Sequence, residues 1–395
     1  MSNPIYPVIL AAARTPGGRL GGALSSIPAP RLGAHVIRAV VERSGIDPAA
    51  VEEVFMGQVI PAGAGQAPAR QAALYGGMPE SVGAVTLNKV CGSGLRAVMF
   101  AASAIRAGDG QLYVAGGMES MSMGPYMLPK ARFGYRLGHG EVLDATVHDG
   151  LIDPFNGLHM GNEAEWIART FNITREMQDQ FAYQSHMRAA RATEEGRFRD
   201  EMVPITVKQK RKEIVVDRDE PIRPDTSLEA LARLRPAFEE GGTVTAGNAP
   251  PISDGAAAVV VAHPDYAQAH GLQPLARIIG YTYAAVEPLK VFTAPPHAIR
   301  RLMKQIGWEL SDVDLFELNE AFAAQSLQNI IELGLDPEEV NVHGGAIALG
   351  HPLGASGARV LTTLIYALRQ RGGQRGVAAL CLGGGEAVAM AIELM

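Results

Sequence analysis

The chain of 395 residues exceeds the ~250–300 residues at which a single hydrophobic core stops growing, so two or three domains or subdomains are expected. Hydrophobic residues at 47% and charged residues at 19% exclude an intrinsically disordered chain, and a formal net charge of −6 argues against a nucleic-acid partner. Two cysteines exclude a framework of several disulfides and a four-cysteine zinc site; they suit a reducing, cytoplasmic setting.

Short apolar runs alternate with amphipathic segments, the pattern of an α/β fold. Residues 1–13 carry an apolar stretch with no basic residue before it, so they are expected to hold a first strand, over 7–13, and not a signal peptide. Helical spacing follows over 29–44. Residues 54–59 and 84–90 have the character of buried strands, 94–107 of a helix with Leu95, Val98, Met99, Ala102 and Ile105 on one face, and 112–115 of a further strand. Residues 122–246 differ in kind, with helices over 162–171 and 175–195, Pro-rich turns, and a basic run at 208–212. Asp217, Asp219 and Glu220 follow that run, which is therefore expected to belong to a solvated face. A strand over 256–262 returns to the first unit. A second unit starts near Gln273, with strands over 313–318, 340–343 and 377–382 and a helix ending at 370. No apolar run of ~18 residues exists, so no membrane partner is expected.

The two ends of the chain echo each other. A strand leads into Cys91-Gly-Ser-Gly-Leu-Arg96, then a helix, a strand and Gly116-Gly117; late in the chain a strand leads through glycines into Ala355-Ser-Gly-Ala-Arg359, then a helix, a strand and Gly383-Gly384-Gly385. Duplication of one α/β unit explains both, and two such units packed face to face would bring their equivalent turns together. The expected organisation is a first half at 1–121 plus 247–272, an inserted segment at 122–246, and a second half at 273–395.

Cys91 lies between a strand and the start of a helix. Unpaired N–H groups and the helix dipole there would lower its pKa, favour the thiolate and stabilise an oxyanion on an attacked carbonyl. The alternative is a small buried core residue. Gly92-x-Gly94-x-x-Ala97, with Glu119 beyond, also matches the dinucleotide fingerprint of a dehydrogenase. His351, between Gly350 and Pro352, is placed to act as a general base or to be a turn residue satisfied by backbone. Cys381 ends a strand before three glycines, and is either a core residue or part of a site. Asn319 at a strand–helix junction can cap the helix or hydrogen-bond an oxyanion. The spacing of the cysteines gives no metal-binding pattern, so no metal is expected.

Together, Asn88-Lys-Val-Cys-Gly-Ser-Gly-Leu-Arg96, Gly116-Gly-Met-Glu-Ser-Met-Ser122, Thr243-Val-Thr-Ala-Gly-Asn248, Asn319-Glu-Ala-Phe322, Gly344-Gly-Ala-Ile-Ala-Leu-Gly-His-Pro-Leu-Gly-Ala-Ser-Gly357 and Cys381-Leu-Gly-Gly-Gly385 resemble the thiolase family over essentially the whole chain. The resemblance implies two βαβαβαββ halves with an inserted loop domain, and acyl transfer between coenzyme A thioesters. It implies Cys91 as the nucleophile that carries the acyl group, His351 as its activator and Cys381 as the acid–base of the carbon–carbon step. His351 with a water on Asn319 would form one oxyanion site, and the N–H groups of Cys91 and Gly383 the other. Coenzyme A is then a substrate, and no cofactor is needed. Asn319 in place of a histidine and Cys381 as base favour a thiolase over a decarboxylating ketoacyl synthase.

His159, Met160, Arg223, Phe238, Ala246 and Phe322 match family positions around coenzyme A and its pantetheine arm. Pro250 stands where many members carry Ser, removing one hydrogen bond to pantetheine, and Val291-Phe292 replaces a Met near the acyl tail. The expected activity is acetyl-CoA C-acetyltransferase, the alternative a 3-ketoacyl-CoA thiolase for longer chains in lipid metabolism. A dehydrogenase and a catalytically silent acyl-CoA binder are the rivals from other classes. A homotetramer is expected by analogy, with 121–137 as an assembly loop.

Overall fold

The structure is a computed structural model that describes residues 5–209 and 212–395. Nine strands build its main sheet: β1 (Val8–Arg14), β2 (Glu53–Gly57), β3 (Gly83–Leu87), β4 (Leu112–Ser120), β5 (Ser253–Ala262), β6 (Ala276–Ala285), β7 (Leu315–Leu318), β8 (Arg375–Leu382) and β9 (Glu386–Leu394). They run in the order β7-β8-β9-β6-β1-β5-β4-β2-β3, with the short strand Gly18–Arg19 beside β5. The two halves share one pattern. β2 is parallel to β4, which is antiparallel to β5, which is antiparallel to β1. Likewise β7 is parallel to β8, β8 antiparallel to β9, and β9 antiparallel to β6. The halves join edge to edge only where Val8 and Ile9 meet Arg277 and Ala276.

Alternation along the strands creates three stacked cores, because successive side chains point to opposite faces. On β5, Ala256, Ala258, Val260 and Ala262 face an outer core with helices α1 (Ala29–Ser44) and α2 (Pro68–Tyr75), while Val259 and Val261 face the centre. On β9, Val388, Met390 and Ile392 face the centre and Ala387, Ala389 and Ala391 face a second outer core. The centre is filled by α3 (Ser93–Ala107) and, near the C-terminus, α8 (Leu353–Arg371). Every residue of α8 from Leu353 to Leu368 is buried, as a helix between two sheet layers requires.

The chain leaves the sheet at Ser120 and rejoins it at Ser253. The excursion carries α4 (Met160–Thr170), α5 (Arg175–Glu194) and a hairpin of Ile205–Gln209 with Lys212–Val216. Of the basic run, Lys210 and Arg211 lie outside the described residues. Lys208 and Lys212 on either side are exposed, on the solvated face expected of the run. Asp219 is buried and receives both terminal nitrogens of Arg14 at 2.7 and 2.9 Å, while Arg14 Nε reaches buried Glu201. β1 and the excursion are thereby locked together through a buried bidentate ion pair. Helices α6 (Ala294–Ile306) and α7 (Ala323–Leu333) cover the second half.

Two strand expectations fail. Residues 88–90 leave β3, because Asn88 Oδ1 accepts the Val90 N–H at 2.9 Å and turns the chain. Residues 340–343 form only one bridge, Val340 to Phe316. Asn341, at a φ of 48°, turns its side-chain amide onto Leu318, accepting its N–H at 2.9 Å and donating to its carbonyl at 2.8 Å. A side chain thus satisfies the edge of β7 where a strand was expected.

The starts of α3 and α8 meet backbone to backbone. A Cβ on Gly94 would stand 2.7 Å from Ala358 N, and one on Gly357 only 2.3 Å from Leu95 N. Neither space can absorb a methyl group without moving main chain. Gly357→Ala is therefore expected to destabilise the protein by ~1–3 kcal/mol, read as a lowered denaturant midpoint, and to reduce catalysis more than stability alone explains.

Candidate active site

β3 delivers the chain to a tight turn that ends at Cys91. Lys89 N–H donates to Ser93 Oγ at 2.8 Å, and Ser93 Oγ–H donates to Val90 O at 2.6 Å. The turn forces Val90 to a φ of 45°, a strained conformation for a β-branched residue. Cys91 follows, half-buried, one residue before the Gly92 cap of α3. The N–H groups of Gly383 and of Cys91 itself point at its sulfur, and both favour a thiolate. Burial outweighs them. With Glu119 adding a repulsive charge, the thiol is pushed up to about 12, the reverse of the lowering expected from its place at a helix start. Cys91 rests as a neutral thiol.

His351 follows Gly350, whose φ of 94° fits glycine, and Ser253 Oγ accepts the His351 N–H at 3.0 Å. Its Nδ1 lies 2.6 Å from Ser356 Oγ, and that hydroxyl donates to Pro352 O at 2.8 Å. With its own proton committed, Ser356 accepts from Nδ1–H, which leaves Nε2 as an unprotonated acceptor. Burial and the cationic Arg359 push His351 down to about 3, so the imidazole is neutral and available as a base.

Asn319, at the end of β7, donates its N–H to Ala379 O at 3.0 Å and brings Nδ2 to 3.5 Å from His351 Nε2. Its buried Oδ1 has no protein partner, which suits a polar atom that holds a water. Cys381, 2% exposed, ends β8 in a cluster with Ala164, Phe292 and Phe322; burial, then Cys91, then Glu163 push its thiol well above the ordinary range. Cys91, His351, Cys381 and Gly383 all line one cavity of about 410 Å³. Asn319 stands behind this wall.

His159, Met160, Arg223, Phe238, Ala246, Pro250 and Phe322 line the same cavity, as do Val291 and Phe292. His159 caps α4, its Nδ1 accepting the Gly161 N–H at 3.0 Å, so Nε2–H is its free donor. Its ring stacks on Phe238 at 4.8 Å; Phe238 and Phe292 each meet Phe322 edge to face, at 6.0 and 5.5 Å. These rings make a stiff apolar wall.

Three supporting residues were not assigned these roles from sequence. Ser356 sits inside a quoted motif, five positions after His351, but its bond to Nδ1 needs the helix turn to be seen. Ser253 is remote in the chain. Glu119, considered only as a ribose-binding carboxylate, is fully buried and accepts from Val59, Ile60 and Gly354 N–H at 2.9, 3.2 and 2.8 Å, pinning the start of α8. The dinucleotide fingerprint dissolves as well. A Cβ on Gly92 would strike Leu382, and one on Gly94 would strike Ala358, so these glycines make room for protein and not for a pyrophosphate. Among the described residues there is no group of three metal-ligating side chains and no helix long and apolar enough to cross a membrane.

Residues 7–265 match the family model for the thiolase N-terminal domain, and residues 272–394 match that for the thiolase C-terminal domain. Proteins named acetyl-CoA acetyltransferase from Chromobacterium violaceum and Pseudomonas aeruginosa are each 52% identical over 386 residues, covering 98% of both chains. The crystal structure of the Bacillus anthracis acetyl-CoA acetyltransferase superposes with a TM-score of 0.97 at 46% identity, covering 100% of each chain.

A neutral Cys91 makes a distinct pH prediction. Alkylation of the free enzyme by iodoacetamide at Cys91 should keep rising with pH from neutrality to beyond pH ~10, without the plateau near neutrality that a low-pKa thiol gives. Ser356→Ala removes the partner of Nδ1 and should slow Cys91 acylation by about tenfold, the worth of roughly one hydrogen bond, measured by single-turnover release of coenzyme A.

Proposed function

The chain belongs to the thiolase family, and on that premise we propose that it is an acetyl-CoA C-acetyltransferase, joining two acetyl-CoA molecules into acetoacetyl-CoA and cleaving the product in reverse. The observation that carries this reading is the convergence of both cysteines, His351 and the Gly383 turn on one apolar cavity.

His351 Nε2 takes the Cys91 proton as the sulfur attacks the acetyl-CoA carbonyl. The developing oxyanion lies against the N–H groups of Cys91 and Gly383. The proton passes to the departing coenzyme A sulfur, and the acetyl group stays on Cys91 as a thioester. Because thiol and imidazole both start neutral, charge appears only as the bond forms, where the oxyanion site stabilises it. Cys381, its thiol proton released to solvent, then removes an α-proton from a second acetyl-CoA, and a water on Asn319, beside His351, donates to the enolate oxygen. The enolate carbon attacks the acetyl carbonyl, Cys91 leaves as a thiolate, and the proton on Cys381 returns it to the neutral thiol. Coenzyme A enters as part of the substrate, so the reaction needs no resident cofactor.

His159, Phe238 and Phe322 support a pantetheine arm by apolar contact, and Arg223, where the cavity meets a second pocket of about 210 Å³, supports a polar nucleotide end. Phe292 closes the wall near the acyl group and favours a short chain. A homotetramer working in the cytoplasm fits this reading. β3 offers an open sheet edge with Val85 41% exposed, and Tyr126, Phe133 and Leu137 are strongly exposed on one loop.

Cys91→Ala should abolish both directions; retained thiolysis of acetoacetyl-CoA would sink the assignment. Cys381→Ala should still exchange acetyl groups with labelled coenzyme A at Cys91 while losing condensation by at least ~10³-fold, in line with loss of a general base and its positioning. Phe292→Ala should shift kcat/KM toward longer 3-ketoacyl chains, by about tenfold for each added pair of methylenes accommodated, at ~0.8 kcal/mol per methylene.

A further inference from the structure

Asp153 and Glu163 make a buried carboxyl pair on the flank of the cavity that the chemistry above leaves unused. Asp153 is 1% exposed and Glu163 0%. Asn156 Nδ2 bridges them, donating to Glu163 Oε1 at 2.8 Å and to Asp153 Oδ2 at 3.1 Å, and Asp153 Oδ1 accepts the Phe155 N–H at 2.8 Å. Glu163 Oε2 has no partner. Glu163 lies on the first turns of α4, and Ala164, Ile167 and Ala168 of that helix pack in the cluster that holds Cys381. Phe155, from the same loop, lies against the Gly383–Gly385 turn.

Among the described residues no cation pairs with either carboxyl group. α4 packs on α7 and on the turn Pro288–Thr293. There Lys290 is held by Glu287 at 2.8 Å and Glu332 by Arg300 at 2.6 Å; beyond the glycine turn, Glu386 is held by Lys89. On α4 itself, Arg169 pairs with Glu239, Glu165 accepts from Thr243 and Val244, and burial keeps His159 below its ordinary range. The titratable group facing Glu163 from β8 is Cys381.

Resting on the thiolase reading above, we propose that Glu163 is a positioning residue for the carbon–carbon step, held as a neutral acid beside Asp153 so that a further negative charge stays away from Cys381 while the enolate forms. In that step the α-proton moves to the Cys381 sulfur, the enolate carbon bonds to the acetyl carbonyl, and the Cys91–acetyl bond breaks. The transition state is one proton poorer than the resting enzyme, so its negative charge lies between the Cys381 sulfur and the enolate oxygen. An ionised Glu163 nearby would oppose that charge in a medium that screens poorly. Burial, together with Asp153, raises Glu163 to about 8, against a bond from Asn156 and the start of α4, which favour the anion. Below that pH Glu163 is neutral. Above it Glu163 carries a charge, and Cys381 becomes harder to ionise.

The test compares full-length wild type with Glu163→Gln, which keeps an amide donor toward Asp153 but cannot ionise. For wild type, kcat/KM for condensation should climb with pH and bend toward a shallower slope near pH 8. For the variant the bend should vanish, with rates matching wild type within about twofold near neutrality and exceeding it on the order of tenfold by about pH 9.5, one pKa unit's worth. Acetyl exchange at Cys91, whose sulfur feels Glu119 and not Glu163, should be alike in the two proteins. A bend at the same pH in both, or exchange altered in step with condensation, would overturn the proposal. Should Glu163→Gln fail to fold, Glu163→Met takes its place with the same expected loss of the bend. Wild type that exchanges acetyl groups yet makes no acetoacetyl-CoA would overturn the functional reading itself, and this inference with it.

Discussion

The site depends on a contact that contains almost no side chain. α3 and α8, one from each half, begin against each other at Gly94 and Gly357, where a single added carbon would fall within 2.3–2.7 Å of main-chain nitrogen. Cys91 precedes the first helix and His351 the second, so this contact sets the distance between the proposed nucleophile and base. Glu119 reinforces it by tying the end of β4 to both the loop after β2 and the start of α8 through three backbone N–H groups. A close-packed interior transmits any shift at such a contact directly to the reacting atoms.

Burial then determines the electrostatics. A cysteine at a helix start is expected to be acidic, and a histidine near neutrality is expected to titrate. Here burial drives the first up to about 12 and the second down to about 3. Arg359 adds to the second effect. It is buried with none of its guanidinium nitrogens hydrogen-bonded, and its nearest carboxylate, Glu317, stands 4.0 Å away. Such a cation disfavours any imidazolium nearby. Cys91 and His351 are therefore a neutral thiol and a neutral imidazole, which suits the proposed chemistry, since the proposed oxyanion donors are then left for charge that arises during reaction. The role proposed for Glu163 follows the same logic near the second cysteine.

Much of this was legible in residue order. The alternation of strands and helices, the internal echo and the motifs around Cys91, Asn319, His351 and Cys381 pointed to the fold and to one family. What the order of residues did not disclose shares a cause. Residues 340–343 have the apolar character of a strand, yet the Asn341 side chain takes over the edge it would have paired with. Asp219 sits among charged neighbours, yet its partner is Arg14, some two hundred positions away. In both, a long-range polar contact overrides a local pattern, and local patterns carry no information about remote partners.

The order of residues by itself determined the chemistry on offer: two thiols, an imidazole, an amide and glycine-rich turns on duplicated α/β units, because residue type and period survive in one dimension. Only the folded chain decided their protonation and alignment. Nε2 is the basic nitrogen because Ser356 has already given its proton to Pro352, and neither cysteine rests as thiolate because burial disfavours the charged sulfur of both. Those outcomes depend on solvent access and on which atoms lie within three ångströms of one another, quantities that exist only once the backbone has closed on itself.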